Sequence, residues 1–227
     1  MIFSVQAVAF DLDGTLINSI ADLASAANTM REQFGLVPLA QTRIASFVGD
    51  GAATLVARAL SDQHDVKVGE HPDHALAMTR FHDNYHAHLA DDTEVYDGVH
   101  DTLKALKARG LALAVITNKP FDFTLPLLAA LGLSDYFDVV LGGDSLPEKK
   151  PLPHPLLHTA LVLRCQPEDM LMVGDSKNDV LAARAAGCPV VVVTYGYGDQ
   201  PEALNADAHI AHFSELQALV ALEPAEA

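Results

Sequence analysis

The sequence predicts an α/β protein: a parallel sheet flanked by helices, with a helical segment inserted after the first strand. Short apolar runs carry the first part of that expectation. VQAVAF precedes Asp11, LALAVI precedes Thr117, DVVLGG precedes Asp144, MLMV precedes Gly174 and PVVVV precedes Thr194. Their length and their richness in Val, Ile and Leu suit strands buried on both faces, and the stretches between the later runs are long enough for crossover helices. Strands alternating with helices in this way build a parallel sheet. The second part rests on the long gap between the first two runs, which is filled mostly by helical patterns.

The core helices are expected from Gly98 to Arg109, Phe121 to Leu131, His154 to Leu163 and Ser176 to Ala186. Gly110, Gly132 and Gly187 stand where helix stops belong. Within the gap, Ile20, Leu23, Ala24, Ala27, Arg31 and Phe34 share one face at helical spacing, with Arg31 the polar exception. Asn18 or Ser19 is positioned to cap that helix. Ala52 to Leu60 and Asp73 to Leu89 read as further helices. The insert therefore runs over residues 18–91, and residues 1–17 and 92–227 form the core. The short acidic, alanine-rich C-terminus is expected to fray.

Composition narrows the function classes. Half of the 227 residues are apolar, enough for a full core, and the formal net charge is −16 with only 14 Lys and Arg. Nucleic acid and anionic membranes reward clustered cations, so neither is an expected partner. Cys165 and Cys188 form no framework and no metal-ligand spacing, which suits reduced thiols. The N-terminus lacks the basic region and long apolar run of a signal peptide, and no stretch approaches membrane-spanning length. A cytoplasmic protein is expected, monomer or homodimer.

In open parallel sheets, ligands bind beyond the carboxyl ends of the strands. The residues following the apolar runs are chemical: Asp11 and Asp13, Thr117 and Asn118, the loop Asp144 to Lys150, and Asp175 with Asp179. Singly, each is ordinary loop chemistry. Together they fit one reaction, because a carboxylate attacking a phosphate dianion needs a divalent metal and a lysine to offset repulsion. Asp11, Asp175 and Asp179 offer the hard oxygen ligands that magnesium prefers. Asp11 and Asp13, two apart in extended chain, project to the same side, so one can attack while the other transfers protons. Gly14 permits a sharp turn, and the Thr15 hydroxyl is a further donor.

These residues carry a resemblance. Asp11-Leu12-Asp13-Gly14-Thr15-Leu16 resembles the first motif of the haloacid dehalogenase superfamily in its phosphatase branch, whose core is a Rossmann-like sheet under an inserted helical cap. Thr117-Asn118, Lys150-Pro151 and Gly174-Asp175-Ser176-Lys177-Asn178-Asp179 resemble its second, third and fourth motifs, in the right order. The resemblance implies that Asp11 is the nucleophile, Asp13 the acid and base, and Lys150 the counter-charge. It also implies that Thr117 and Asn118 hold phosphoryl oxygens, with magnesium bound by Asp11, the Asp13 carbonyl and Asp175. Asp179 either reaches the metal through water or orients Lys150. Lys149 competes for the lysine role, and the position beside Pro151 favours Lys150.

Asp13 argues against dehalogenases, which lack the second aspartate. Phosphonate hydrolases of the superfamily carry a cap lysine, and the insert's only lysine is Lys67. Mutases of the β-phosphoglucomutase type keep both aspartates and differ mainly in the cap. The insert segment Phe47-Val48-Gly49-Asp50-Gly51-Ala52, with Gly142-Gly143-Asp144 leading into Lys149-Lys150-Pro151, is similar to bacterial phosphoglycolate phosphatases. That similarity implies a small phosphorylated metabolite, 2-phosphoglycolate, as substrate; a sugar phosphate and a non-catalytic phosphate-binding role are the alternatives. Gly49 and Gly51 either present backbone N–H groups to a substrate anion at a helix start or form a plain turn. Arg31, Arg43 and Arg58 are candidate carboxylate partners. His82 with His86, and His154 with His158, read as solvated helix faces, and Tyr195-Gly196-Tyr197-Gly198 as either a surface loop or a flap.

Overall fold

The computed structural model describes residues 2–198 and 200–222; the C-terminal residues expected to fray lie mostly outside them. Two short strands open the chain, β1 (Phe3–Val5) and β2 (Ala7–Phe10), and a third, β3 (Ile17–Asn18), follows the first acidic motif. Four helices come next: α1 (Ile20–Gln33), α2 (Gln41–Ala45), α3 (Ala52–Ser61) and α4 (His74–Ala87). The chain returns through β4 (Glu94–Val95), antiparallel to β3, into α5 (Val99–Ala108) and β5 (Ala112–Ile116). It continues with α6 (Phe121–Ala130), β6 (Val139–Leu141), α7 (His154–Leu163), β7 (Met170–Gly174) and α8 (Lys177–Ala186). The last elements are β8 (Val190–Val193), β9 (Ala208–Ile210), α9 (Leu216–Leu219) and β10 (Val220–Leu222).

Six parallel strands form the central sheet in the order β6-β5-β2-β7-β8-β9, while β1 pairs with β10 at its margin. From β2 the chain moves outward through β5 and β6, then crosses to the other side for β7, β8 and β9. The order reverses between β2 and β7, which is where such sheets open a crevice. Alternation along β2 shows both faces covered. Val8 and Phe10 join a cluster with Leu103 and Leu106 of α5 and Phe213, whereas Ala7 and Ala9 face Leu156 and Ala160 of α7 and Ala182 and Ala183 of α8.

The helices α1, α3 and α4 enclose a third cluster, with Ala27, Met30, Phe47, Val56, Phe81 and Tyr85 at its centre. Phe123 of α6 joins it from the sheet side. Arg31, the polar exception on the α1 face, is buried because its guanidinium donates to the Ala59 and Val37 carbonyls. Asp22 of α1 accepts from the Asp92 amide at 3.0 Å and the Thr93 hydroxyl at 2.6 Å, tying the outgoing helix to the returning chain. Ser19 occupies the α1 N-cap position but makes no side-chain cap bond; its hydroxyl is turned to Asp13 instead. The short helix α2 and the strand β9 were not expected. Gln41–Ala45 is too short for a periodic pattern, and Ala208–Ile210 lacks the apolar richness of the other strands.

Candidate active site

Asp11 follows β2 directly, and its backbone N–H donates to the Val173 carbonyl of β7, so the strand pairing itself fixes the residue at the switch point. The chain then turns back on Leu12, whose carbonyl accepts from Thr15 and Leu16, while Gly14 adopts φ +86°. A Cβ on Gly14 would stand 2.4 Å from Asp175 Oδ2, so the close approach as well as the backbone angle requires glycine. Thr15 is fully buried, and its hydroxyl has no hydrogen-bond partner among the described residues.

Asp11, Asp175 and Asp179 are buried, with carboxylate oxygens within 4.8 Å of one another. Lys150 Nζ donates to Asp11 Oδ1 at 2.7 Å and to Asp179 Oδ1 at 2.6 Å. One ammonium, paired with two of the three clustered carboxylates, leaves an excess of negative charge. Burial, only partly offset by Lys150, pushes the Asp11 carboxyl up to about 6, and the Asp179 charge adds to that rise. Asp175 is likewise raised, by burial first and then by Asp11 and Asp179. Burial works against the charged form of Lys150, but the two carboxylates outweigh it and raise its pKa. The donor set is hard oxygen, crowded and anionic, which fits a divalent cation such as magnesium.

Asp179 has its other oxygen occupied. Oδ2 accepts from the Ser176 backbone N–H at 3.0 Å and the Ser176 hydroxyl at 2.7 Å, closing a capping box at the start of α8. Asp175 Oδ2 accepts from the backbone N–H groups of Tyr197 at 2.7 Å and Gly198 at 3.3 Å. These two bonds pin the Tyr195 to Gly198 segment against Asp175, and none of its four residues lines the cavity that Asp11 and Asp13 face. Tyr197 OH accepts from the Ser19 amide at 2.7 Å, and Tyr195 OH donates to the Thr15 carbonyl.

Asp13 accepts from the Ser19 hydroxyl at 2.5 Å and, through both oxygens, from Lys119 Nζ at 3.1 Å. Lys119 was not singled out from sequence. It sits one residue past Thr117-Asn118, and a single lysine beside a motif gives no periodic or spacing signal. Burial opposes its charged form, yet Asp13 outweighs burial and raises its pKa. Thr117 is buried after β5, with Oγ1 accepting from the Lys119 amide. Asn118 Nδ2 donates to the carbonyls of Gly49 and Lys150, both at 2.9 Å.

Gly49 and Gly51 reach the site as part of a clasp. The Gly49 carbonyl also accepts from Asn178 Nδ2 at 3.2 Å, and Lys149 Nζ donates to the Asp50 carbonyl at 2.5 Å. Lys149 therefore holds the inserted segment, and Lys150 alone meets Asp11. The Asp50 carboxylate does not cap α3: it pairs with Arg58 at 2.7 Å and accepts from Asn178 at 2.8 Å. Burial would raise its pKa, but those partners hold it below the usual carboxylate value. Arg31 is spent on carbonyls and Arg43 on Asp62, so none of the three arginines lines the cavity. His82 pairs with Asp122 and stacks near His86, and His154 pairs with Glu148.

The cavity between core and inserted helices is partly open to solvent and measures about 40 Å³, room for a few water molecules. Asp11, Asp13, Thr117, Asn118, Lys119 and Lys150 line its floor, and Leu23, Val48, Leu55, Phe81, Tyr85 and Phe123 its roof and sides.

A reversing parallel sheet with a carboxylate cluster and a buried lysine at its switch point, roofed by inserted helices, is the frame of a hydrolase that handles anionic substrates. The haloacid dehalogenase-like hydrolase family matches residues 8–193, and the chain belongs to that family. It is 51% identical over 216 residues to a phosphoglycolate phosphatase of Chromobacterium violaceum, covering 95% of this chain and 96% of that one. A phosphoglycolate phosphatase of Nitrosospira multiformis is 47% identical over 221 residues, covering 95% and 96%. Among solved structures, a predicted phosphoglycolate phosphatase from Haemophilus somnus superposes with a TM-score of 0.88 at 36% identity, covering 94% of this chain and 97% of that one. CbbY from Rhodobacter sphaeroides, in complex with phosphate, superposes with a TM-score of 0.78 at 26% identity, covering 93% and 96%. No helix among the described residues is long and apolar enough to cross a membrane.

Proposed function

We propose that the chain is a magnesium-dependent phosphomonoesterase that hydrolyses 2-phosphoglycolate to glycolate and phosphate. The observation that carries the reading is the pairing of two aspartates, two residues apart, with two different buried lysines at one cavity. The names of the relatives support a compact phosphorylated acid over a hexose phosphate.

In this mechanism an Asp11 carboxylate oxygen attacks phosphorus, and the bond from phosphorus to the ester oxygen breaks. Asp13 gives its proton to that departing oxygen, releasing glycolate. Water then attacks phosphorus of the aspartyl-phosphate while Asp13 takes its proton, and phosphate leaves with Asp11 restored. The Thr117 hydroxyl and the Asn118 backbone N–H hold phosphoryl oxygens, since both side-chain hydrogens of Asn118 are spent on the Gly49 and Lys150 carbonyls, and Lys150 balances charge on Asp11 and the phosphate. Asp11, the Asp13 carbonyl and Asp175 would hold magnesium, which when bound would supply positive charge to offset repulsion between nucleophile and phosphate. Asp179, with both oxygens engaged, serves by orienting Lys150. Residues 18–91 act as a cap domain over a core of residues 1–17 and 92–227, a division supported by the separate helical cluster. The free cysteines suit a cytoplasmic setting.

The test is phosphate release from 2-phosphoglycolate, β-glucose 1-phosphate and an aryl phosphate, with magnesium or with a chelator. Release that is strongest with 2-phosphoglycolate and lost with chelator is expected. Well-folded protein that releases no phosphate from any of them would sink the proposal, and conversion of β-glucose 1-phosphate to its 6-phosphate isomer would replace it with a mutase.

A further inference from the structure

Two basic side chains line the cavity, and the proposed chemistry uses one of them. Lys150 is locked between Asp11 and Asp179 on the phosphate side. Lys119, 6% exposed, spends donors on the two oxygens of Asp13 and keeps its Nζ 4.6 Å from the centre of the Tyr85 ring. An ammonium has three donors, so its hydrogen-bonding capacity is not exhausted by one carboxylate. Tyr85, from α4, is fully buried and lines the same cavity, and its hydroxyl has no hydrogen-bond partner among the described residues. A buried hydroxyl without an acceptor calls for an explanation, and an acceptor arriving with the substrate is one. The surrounding wall of Leu23, Leu55, Phe81 and Phe123 is apolar and strengthens any charge pairing made there.

We infer that Lys119 and the Tyr85 hydroxyl form the subsite for a second anionic group of the substrate, a carboxylate borne on the leaving group. Together they set the enzyme's preference for acidic over neutral phosphomonoesters. The inference rests on the phosphatase proposal and deepens it. Its geometry follows from Asp13, which protonates the leaving oxygen in that mechanism and lies one hydrogen bond from Lys119. In 2-phosphoglycolate a single methylene carbon separates the ester oxygen from the carboxylate. A leaving oxygen at Asp13 therefore brings its carboxylate to the Lys119 ammonium, with the tyrosine hydroxyl as the second donor. Lys119 comes from the core and Tyr85 from the helical segment, so the subsite is complete only when the two are closed together.

The test compares 2-phosphoglycolate with 2-hydroxyethyl phosphate, which replaces the carboxylate by a neutral group. Wild-type protein is expected to favour the acid in kcat/KM. Lys119→Met should lower that preference ratio at least about thirtyfold, chiefly through KM for the acid, the scale of a lost charge-assisted hydrogen bond. Lys119→Arg should restore part of the ratio. Equal losses for both compounds, or a wild type that does not discriminate, would overturn the inference while leaving phosphatase activity in place. Should Lys119→Met fail to fold, Tyr85→Phe leaves the lysine–aspartate pair intact and should lower the ratio at least about threefold; an unchanged ratio overturns the role of the pair. If wild-type protein turns over neither compound, the phosphatase proposal fails separately. Calorimetric binding of the two compounds then decides the subsite: a preference for the acid that Lys119→Met abolishes supports it, and equal affinities overturn it.

Discussion

Lys150 Nζ stands 2.7 Å from Asp11 Oδ1, although 139 positions separate the two in sequence. The contact is buried, and Asp179 holds the same ammonium from its other side at 2.6 Å. Lys150→Met would leave two buried carboxylates without their cation. Breaking a buried pair by removing one partner costs about 3–5 kcal/mol, which for a chain of this size lowers the melting temperature by roughly 6–20 °C. Thermal denaturation followed by circular dichroism checks this, and a variant that melts with the wild type would contradict it.

Asp11→Asn keeps shape and removes the nucleophile. Phosphate release should fall at least about 10³-fold, while the circular dichroism spectrum stays that of the wild type. A folded variant with near-normal turnover would remove Asp11 from the reaction.

Asp13→Ala removes the proton donor, and turnover of an alkyl phosphate should slow by at least roughly a hundredfold. An aryl phosphate, whose leaving group needs no protonation, should lose less in the first step. Rapid-quench measurement of the burst of aryl alcohol separates the two steps.

The raised pKa of Asp11 makes metal-free stability depend on pH. The folded protein holds this proton more tightly than the unfolded chain, so the contribution is fully present below the ordinary carboxylate value of 3.8 and is lost as pH rises through about 6. Asp175, shifted in the same direction, reinforces the trend. Melting temperatures of chelator-treated wild type and Asp11→Asn between pH 4 and 7 should show the wild type losing stability relative to the variant. Magnesium should remove the difference near neutral pH.

Gly14→Ala would place a methyl group 2.4 Å from Asp175 Oδ2 in a backbone conformation that side chains rarely adopt. A loss of about 1–2 kcal/mol is expected, together with weaker magnesium activation, because the displaced group is Asp175. The magnesium concentration for half-maximal activity is the measurement, and an unchanged value would mean that Asp175 does not hold the metal.

Much of the sheet was legible because its strands are apolar on both faces, and β2, β5, β7 and β8 stand out against their flanks. The helix His154–Leu163 has the bounds that its pattern predicts. The carboxylate cluster was legible for a related reason: a parallel sheet delivers the residue after each strand to one rim, so order along the chain becomes proximity in space. What sequence could not resolve depends on rotamers and partners. Lys149 and Lys150 are neighbours with opposite destinations, one to the Asp50 carbonyl and one to Asp11. Arg58, a candidate carboxylate partner by sequence, is occupied by Asp50, eight positions earlier and across a helix start. Lys119 carries no local signal, because its importance lies in a long-range contact with Asp13.

The two bonds from the Asn118 side-chain amide, to the Gly49 carbonyl of the inserted segment and to the Lys150 carbonyl of the core, rivet two distant stretches of chain through one amide group. The same side chain that fixes a carbonyl of the inserted segment also fixes the carbonyl of the residue whose ammonium meets Asp11, so roof and floor share one anchor and a substitution at position 118 would be felt on both sides of the cavity at once.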